Sequence, residues 1–487
     1  MERIIGRQEE IEIFQKAVDS GKAELMAFYG RRRIGKTFIV RHFFEPKSIF
    51  FEVCGLKDGS MEDQLSIFSR VFQKTFPREV PLLPLPDWQY AFEMLTAELK
   101  KISESKIITL FFDELSWIAT PKSGFLQQLD HYWNSEWSKL SNVKVVLCGS
   151  AASWMLEKLV YAKGGLHNRL TRVVLLRPLD LSETRAYLED RNIKCDEKQI
   201  LELYMVLGGI PYYLNQVEKG FSAAQNVNRI CFRKNGILYD EFSKLFSSLF
   251  KHSTNHEKII REIAKSRQGI SRNSLIEKTG IPSGSGLNKY LDELEETDFI
   301  ASFVPYQKNK KDIYYRVVDE YSYFYLKWIK NAPKGIFAKS DHNYWDKKAQ
   351  SQSWKSWAGY AFEGICIKHS LQIKKKLQID KIPAEVASWR CVSHGKSGEK
   401  GAQIDLLFDR GDGIVSICEI KHCEKEFEID KSYAEELKNK MIVFQENTKG
   451  KKKHLFLVMV TTFGVKKNVY SDELVTNEVV LADLFST

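Results

Sequence analysis

The 487-residue sequence predicts an α/β chain of several domains, and three stretches carry that prediction. The apolar strand "ELMAFYG" (24–30) runs through the glycine-flanked "GRRRIGKT" into the helical "FIVRHFF". A second apolar run, "KIITLFFDELSW" (106–117), ends in two acids. Near the C-terminus "GAQIDLLFDRGDGIVSICEIKH" (401–422) reads as a β-hairpin that carries charges among apolar residues. Strands alternating with helices indicate a parallel sheet with helices on both faces in the N-terminal part. The length allows roughly three domains at about 150 residues each.

Composition narrows the function classes. The net charge of +10 favours a polyanionic partner through phosphate neutralisation, which proposes nucleic acid without selecting DNA or RNA. No run approaches the roughly 18 uninterrupted apolar residues of a membrane span, and the start "MERIIGRQEE" lacks a signal-peptide core, so a cytoplasmic chain without a membrane partner is expected. The eight cysteines lack the spacing of a zinc site or a secreted disulfide framework, which predicts reduced thiols.

Gly30, Gly35, Lys36 and Thr37 match G-x-x-x-x-G-K-[ST] between a strand and a helix, the pattern that cradles nucleotide phosphates. The whole loop Gly30, Arg31, Arg32, Arg33, Ile34, Gly35, with Lys36, Thr37 and Phe38 opening the helix, is expected to bind ATP. Backbone N–H groups wrap the phosphates, Lys36 reaches the β and γ oxygens, and the Thr37 hydroxyl ligates Mg²⁺. At the end of the second strand, Asp113 is placed to hold the same Mg²⁺. Glu114 either deprotonates the attacking water or is an exposed N-cap acid of the next helix. A third strand, "VKVVLCGS", ends at Ser150, a polar group expected to sense the γ-phosphate.

With "IIGRQEEIEIF" before the loop and "GGIPYYL" (208–214) after the strands, residues 1–240 resemble the prokaryotic AAA+ ATPases related to the STAND class. The resemblance brings Gly6, Arg7 and Glu10 to the nucleotide pocket and sets Gly208, Gly209 and Pro211 in a helical lid near it. It marks "GGLHNRLTRVVLLRPL" as an arginine-bearing segment. Arg169 or Arg172 then acts either as a finger into a neighbouring subunit of a homo-oligomer or as a surface or phosphate-sensing arginine in the same chain.

Helical spacing runs from Asp180 to about Leu249, the lid. Three short helix patterns follow, then strand, basic tip and strand, an order that resembles a winged helix. In a DNA reader the third helix enters the major groove through Ser283, Ser285, Asn288 and Lys289, and Lys308, Lys310 and Lys311 on the wing touch phosphates. Asp292, Glu293, Glu295 and Glu296 load that helix with negative charge, so protein packing is the equal alternative.

A Pro-, Gly- and Lys-containing linker, 330–342, precedes a last domain. A hairpin centred on Asp412 sets Asp405 opposite Glu419, with Lys421 one pleat along on the same face. Facing carboxylates repel by up to about 1 kcal/mol and invite a hard cation such as Mg²⁺; the bland alternative is an amphipathic hairpin with solvated charges. The order helix, three strands, helix, strand over 350–470 resembles the PD-(D/E)xK nuclease core, a restriction-endonuclease-like fold. The resemblance implies that Glu363, Asp405, Glu419 and Lys421 are catalytic, with Asp405 and Glu419 on the metal and Gln403 orienting it. Against it, Glu363 reads as a solvent-facing helical acid, and the fold can persist as a binding domain only. The lysine stretches at 374–376 and 449–454 either flank a phosphate path or are solvated loops.

The expected domains are therefore 1–177, 178–249, 250–335 and 345–487. The expected function is ATP binding and hydrolysis coupled to Mg²⁺-dependent cleavage of nucleic acid. The alternatives are an ATP-driven signalling switch and a nucleic-acid remodeller whose last domain only binds.

Overall fold

The computed structural model describes residues 3–79, 82–160, 165–250, 253–309, 311–333, 335, 344–391, 401–449 and 453–486, without the side chains of 152, 153 and 167. Lys310 and residues 450–452 therefore lie outside the described residues, as does most of the linker 330–342. The chain forms two compact units. The first comprises residues 1–178 with 210–212 and 247–251, and the second holds the remainder.

The first unit is a five-stranded parallel sheet in the order β2-β3-β4-β1-β5. Its strands are β1 (Glu24–Tyr29), β2 (Ile49–Cys54), β3 (Ile108–Asp113), β4 (Val143–Gly149) and β5 (Arg172–Leu175). Every residue of β1, β3 and β4 is buried, as expected of strands covered on both faces. An aromatic core that includes Phe68, Trp88, Phe92 and Phe125 packs helices 61–75, 88–99 and 125–135 onto the sheet. Because all five strands run parallel, the functional loops leave the sheet at one edge, where the carboxyl ends of the strands lie.

The second unit begins with helices 181–190, 197–207 and 223–231. Helices 253–264, 272–279 and 285–296 follow, with an antiparallel sheet β6-β8-β7 made of β6 (Ile270–Ser271), β7 (Ile300–Phe303) and β8 (Tyr314–Val317). A larger sheet has the order β13-β12-β11-β10-β9, from β9 (Ala384–Cys391), β10 (Ala402–Arg410), β11 (Ile414–Lys421), β12 (His454–Thr461) and β13 (Val475–Val480). Its first three strands form an antiparallel meander, and β12 and β13 are added in parallel. Helix 352–368 precedes this sheet and helix 431–447 lies between β11 and β12.

The Trp-rich start of the last expected domain packs on the preceding helices. Trp345 stacks on Phe232 at 5.1 Å and 9°, and its amide donates to Asn228 Oδ1 at 3.0 Å. His369 at the end of helix 352–368 accepts the Leu181 amide on Nε2 at 3.1 Å and donates from Nδ1 to the Ile365 carbonyl at 2.8 Å, which fixes its neutral tautomer.

Candidate functional sites

The first site stands on the loop from β1 to helix 36–44. Positive φ at Gly30 (152°), Arg33 (73°) and Gly35 (95°) curls the backbone ahead of the helix N-terminus, the conformation from which successive N–H groups can meet an anion. A Cβ on Gly30 would stand 2.4 Å from the Leu176 carbonyl oxygen, so strand packing as well as loop geometry requires glycine there. Ile34 and Arg31 are buried and Arg32 is exposed. Lys36 is buried across the loop and donates to the carbonyls of Gly30 (2.8 Å) and Arg31 (2.9 Å). Burial holds its ammonium below the usual lysine range, against the pull of nearby groups that include Glu114 and Asp113. Phe38 stacks on His42 at 3.8 Å between ring centroids.

The two elements flanking the loop in sequence brace it from behind. Gly6 and Arg7 take positive φ, and the buried Arg7 guanidinium donates to the carbonyls of Arg177 (2.5 Å) and Ile34 (3.3 Å) beside Glu10 at 3.6 Å. The Arg33 guanidinium lies 4.3 Å over the ring of Tyr212, the residue after Pro211. Gly209 is required for a separate reason: a Cβ would come within 1.7 Å of the Leu179 carbonyl oxygen. That close approach explains its glycine without any nucleotide.

Strand order sets the acids. β4 lies between β1 and β3, so Ser150 stands between the phosphate loop and the pair Asp113–Glu114. Thr37 Oγ1 donates to Asp113 Oδ2 at 2.6 Å, and those two hard oxygen donors fit a Mg²⁺ site. Glu114 adopts a left-handed conformation (φ 49°) ahead of helix 115–118 but caps nothing. Its carboxylate accepts from the Ser150 hydroxyl at 2.5 and 2.6 Å, and from the Ser150 amide at 3.3 Å. Glu114 thus stands at the N-cap position without a capping bond from its side chain. Ser150, expected to face phosphate, is engaged with that carboxylate instead.

The two arginines part company. Arg172 stands beside Met26, about 13 Å along the strand from Gly30, and pairs with Glu24 at 3.3 Å. Its guanidinium is thus turned toward the start of β1, away from its own chain's loop. Arg169 is exposed, where the chain enters β5 at that same far edge.

The second site lies in the C-terminal sheet. The hairpin has the expected register, Leu406↔Cys418 through Asp409↔Val415, and one further step faces Asp405 with Glu419. An irregularity between Ile404 and Leu407 breaks the β9 pairing at Asp405, a device that re-aims side chains near sites. Glu363, Asp405, Glu419 and Lys421 all line one cavity of about 370 Å³, with Gln403 donating to Asp405 at 2.5 Å. Glu363 is half-buried, not a solvent-facing acid, and burial together with the Asp405 charge raises its pKa to about 8. Burial also raises Asp405, although Gln403 opposes it. Glu419 is lowered: burial pushes it up, but Lys440 and Lys421 outweigh that cost.

Two partners of Glu419 escape the sequence reading. Lys440 Nζ lies 2.5 Å from its Oε2, and the Tyr433 hydroxyl donates to Oε1 at 2.5 Å, with Lys421 at 3.1 Å. Tyr433 and Lys440 are seven residues apart, two turns of helix 431–447, so they share a face. That spacing was the available signal. Three donors thus occupy Glu419, and among the described residues no three His, Cys, Asp or Glu side chains are close enough together to hold a metal ion. The carboxylates share a cavity without forming a preassembled cage. Asp405 and Glu419 are hard oxygen donors of the kind Mg²⁺ takes, and the Lys440 ammonium occupies the position beside Glu419 that such an ion would need.

The small sheet bears on the expected nucleic-acid surface. Ser283 and Asn288 are held by Arg272 at 3.1 and 2.8 Å. Tyr306, on the loop between β7 and β8, is buried in the core of the C-terminal sheet, so this tip is anchored within its own chain. Lys308 and Lys311 on it are exposed.

Residues 4–217 match a family described as an ATPase domain predominantly from Archaea. An uncharacterized protein of Methanocaldococcus jannaschii is 26% identical over 408 residues, 83% of either chain. An uncharacterized ATP-binding protein of that organism is 42% identical over 45 residues, 9% of this chain and 76% of its own. Among solved structures, a Walker-type ATPase of Pyrococcus abyssi aligns with a TM-score of 0.49 at 18% identity, over 66% of this chain and 96% of its own. The ORC2 protein of Aeropyrum pernix aligns at 0.43 and 15% identity, over 69% and 95%. No helix among the described residues is long and apolar enough to cross a membrane.

Proposed function

We propose, from the premise that residues 4–217 are a P-loop ATPase domain, that the chain hydrolyses ATP and uses its nucleotide state to govern phosphodiester cleavage of nucleic acid, DNA by preference, in the C-terminal cavity. The observation that carries the second half is the meeting of Glu363, Asp405, Glu419 and Lys421, drawn from one helix and two strands, around a single cavity.

At the first site the loop amides and Lys36 hold the phosphates, and Thr37 and Asp113 supply oxygen ligands for Mg²⁺. Glu114 is the general base, and its bond to Ser150 holds it away from a water until the hydroxyl turns to another acceptor. Arg169 is offered outward as a finger for a second copy. At the second site Asp405 and Glu419 would hold Mg²⁺, which when bound polarises a phosphate and lowers the pKa of coordinated water. Lys421 orients that water or meets the developing charge, and Gln403 fixes the Asp405 carboxylate.

A magnesium-dependent plasmid-nicking assay tests this reading. Nicking by the wild type that is lost in Asp405→Ala and altered in Lys36→Ala supports it. No nicking in any nucleotide state favours the second reading, an ATP-driven switch whose C-terminal cavity only binds. The occupation of Glu419 by Lys440 and Tyr433 speaks for that second reading.

A further inference from the structure

A cavity of about 700 Å³ lies between the small sheet β6-β8-β7 and the C-terminal sheet, and it shares Glu363, Gln403 and Asp405 with the carboxylate cavity. The two hollows therefore adjoin, with Arg267, Gln268 and Tyr360 also lining both. Its roof is the loop between β7 and β8, which is fastened down at several points. The Tyr306 amide donates to the Ser388 carbonyl at 2.7 Å, its hydroxyl donates to Asp409 at 2.8 Å, and its ring stacks on Phe444 at 5.9 Å. Gln307 exchanges two hydrogen bonds with the Lys449 backbone, at 2.6 and 2.8 Å. A loop bonded in this way roofs a channel within its own chain and is not available to straddle a duplex backbone.

The lining pairs cations with aromatic faces. Arg267 lies 4.4 Å over the Tyr360 ring and donates to its hydroxyl at 2.7 Å, and Arg316 lies 4.7 Å over Phe303. Arg390 and Lys449 are exposed along the same walls. The acids of these walls are engaged elsewhere. Asp319 accepts from the Ser322 amide at 2.8 Å, Glu320 pairs with Lys368 at 2.6 Å, and Asp312 accepts from the Asn309 amide at 3.3 Å. Outside the carboxylate end the cations Arg267, Lys308, Arg316, Arg390 and Lys449 outnumber Asp312 and Asp319, so the balance that meets a ligand is positive. Guanidinium groups on aromatic rings above a basic floor take stacked bases and phosphates without reading sequence. The volume falls within the range of roughly 300–1,000 Å³ typical of ligand clefts, enough for a short piece of one strand and too small for a duplex.

We infer that this channel binds a single strand of nucleic acid and leads it to Asp405 and Glu419. The inference rests on the proposed phosphodiester chemistry for its destination but not for its binding. The test is fluorescence anisotropy of the full chain with a labelled oligothymidylate, in EDTA so that no cleavage is required. Arg267→Ala and Lys449→Ala, both at exposed positions, are expected to weaken binding roughly tenfold each and to reduce the dependence of log K on log salt by about one per cation removed. A blunt duplex of equal length is expected to compete poorly. An oligouridylate arm identifies the sugar, and binding of either strand at these residues supports the channel. Wild-type affinity in both variants with matched circular dichroism overturns it, as does a preference for duplex or for an acidic peptide probe. Binding through Arg267 with no Mg²⁺-dependent cleavage of either the bound strand or plasmid leaves the channel standing and removes the nuclease. Nicking unaffected by either variant does the reverse.

Discussion

At the residue scale the two sites have one feature in common: in each, a carboxylate on which the proposed chemistry relies is held by side chains of the same chain. Glu114 is held by Ser150, and Glu419 by Lys440, Lys421 and Tyr433. Glu114→Gln keeps the ligands of the phosphates and of Mg²⁺, so it is expected to bind ATP normally while turnover falls roughly 10²–10⁴-fold, the usual share of a general base. Equal loss of ATP binding would show instead that Glu114 organises the loop. For Glu419, breaking a buried ion pair costs about 3–5 kcal/mol when a charge is left alone, and less here because Lys421 remains. Lys440→Met is therefore expected to lower the metal-free unfolding midpoint and to enlarge the stabilisation gained on adding Mn²⁺, since the ion no longer competes with an ammonium group. Calorimetry with and without Mn²⁺ checks both shifts, and an unchanged Mn²⁺ response would remove Lys440 from the site.

At the scale of elements, helix 352–368 carries Glu363 to the cavity, while His369 just beyond it receives the first amide of helix 181–190. Burial, with the Lys368 ammonium close by, pulls the His369 pKa down to about 4 from 6.5. The folded ring stays neutral down to that pH, whereas the unfolded ring takes a proton below about 6.5. Stability from this group is thus present above pH 6.5 and is lost as pH falls toward 4, by about 3 kcal/mol in all. Thermal unfolding followed across pH 4–7 should show this decline, and His369→Gln, which keeps an acceptor without the titration, should flatten it. The register of the hairpin was legible in the sequence because side-chain alternation and a two-sided apolar pattern leave one pairing. The roles of Tyr433 and Lys440 were not, because a helix facing a sheet shows its spacing but not its target. The strand β13 and the two-residue strand β6 also passed unnoticed, one ending a chain of ambiguous pattern and the other too short to show a period.

At the scale of the molecule, the far-edge position of Arg169 makes a definite claim about assembly. Arg172 is engaged with Glu24, and Arg169 is exposed three residues ahead of β5. If Arg169 completes a neighbour's site, Arg169→Ala binds ATP like the wild type but loses the rise in specific activity with protein concentration, a loss of roughly 10³-fold or more at saturation for an arginine finger. Turnover independent of concentration in both proteins would exclude the role.

The sequence by itself determined the chemistry-bearing types: a phosphate loop is marked by glycines that readily take left-handed conformations ahead of a helix start, and an acidic strand end by its position after a buried run. It also determined the hairpin and the charges on it. Only the tertiary structure decided which acids meet, that Ser150 holds Glu114, that Lys440 holds Glu419, and that the loop bearing Tyr306 is anchored inside its own chain. The physical reason is range. Local pattern fixes conformation over a few residues, whereas pairing between side chains tens to hundreds of positions apart follows from sheet order and helix docking, which no short window contains.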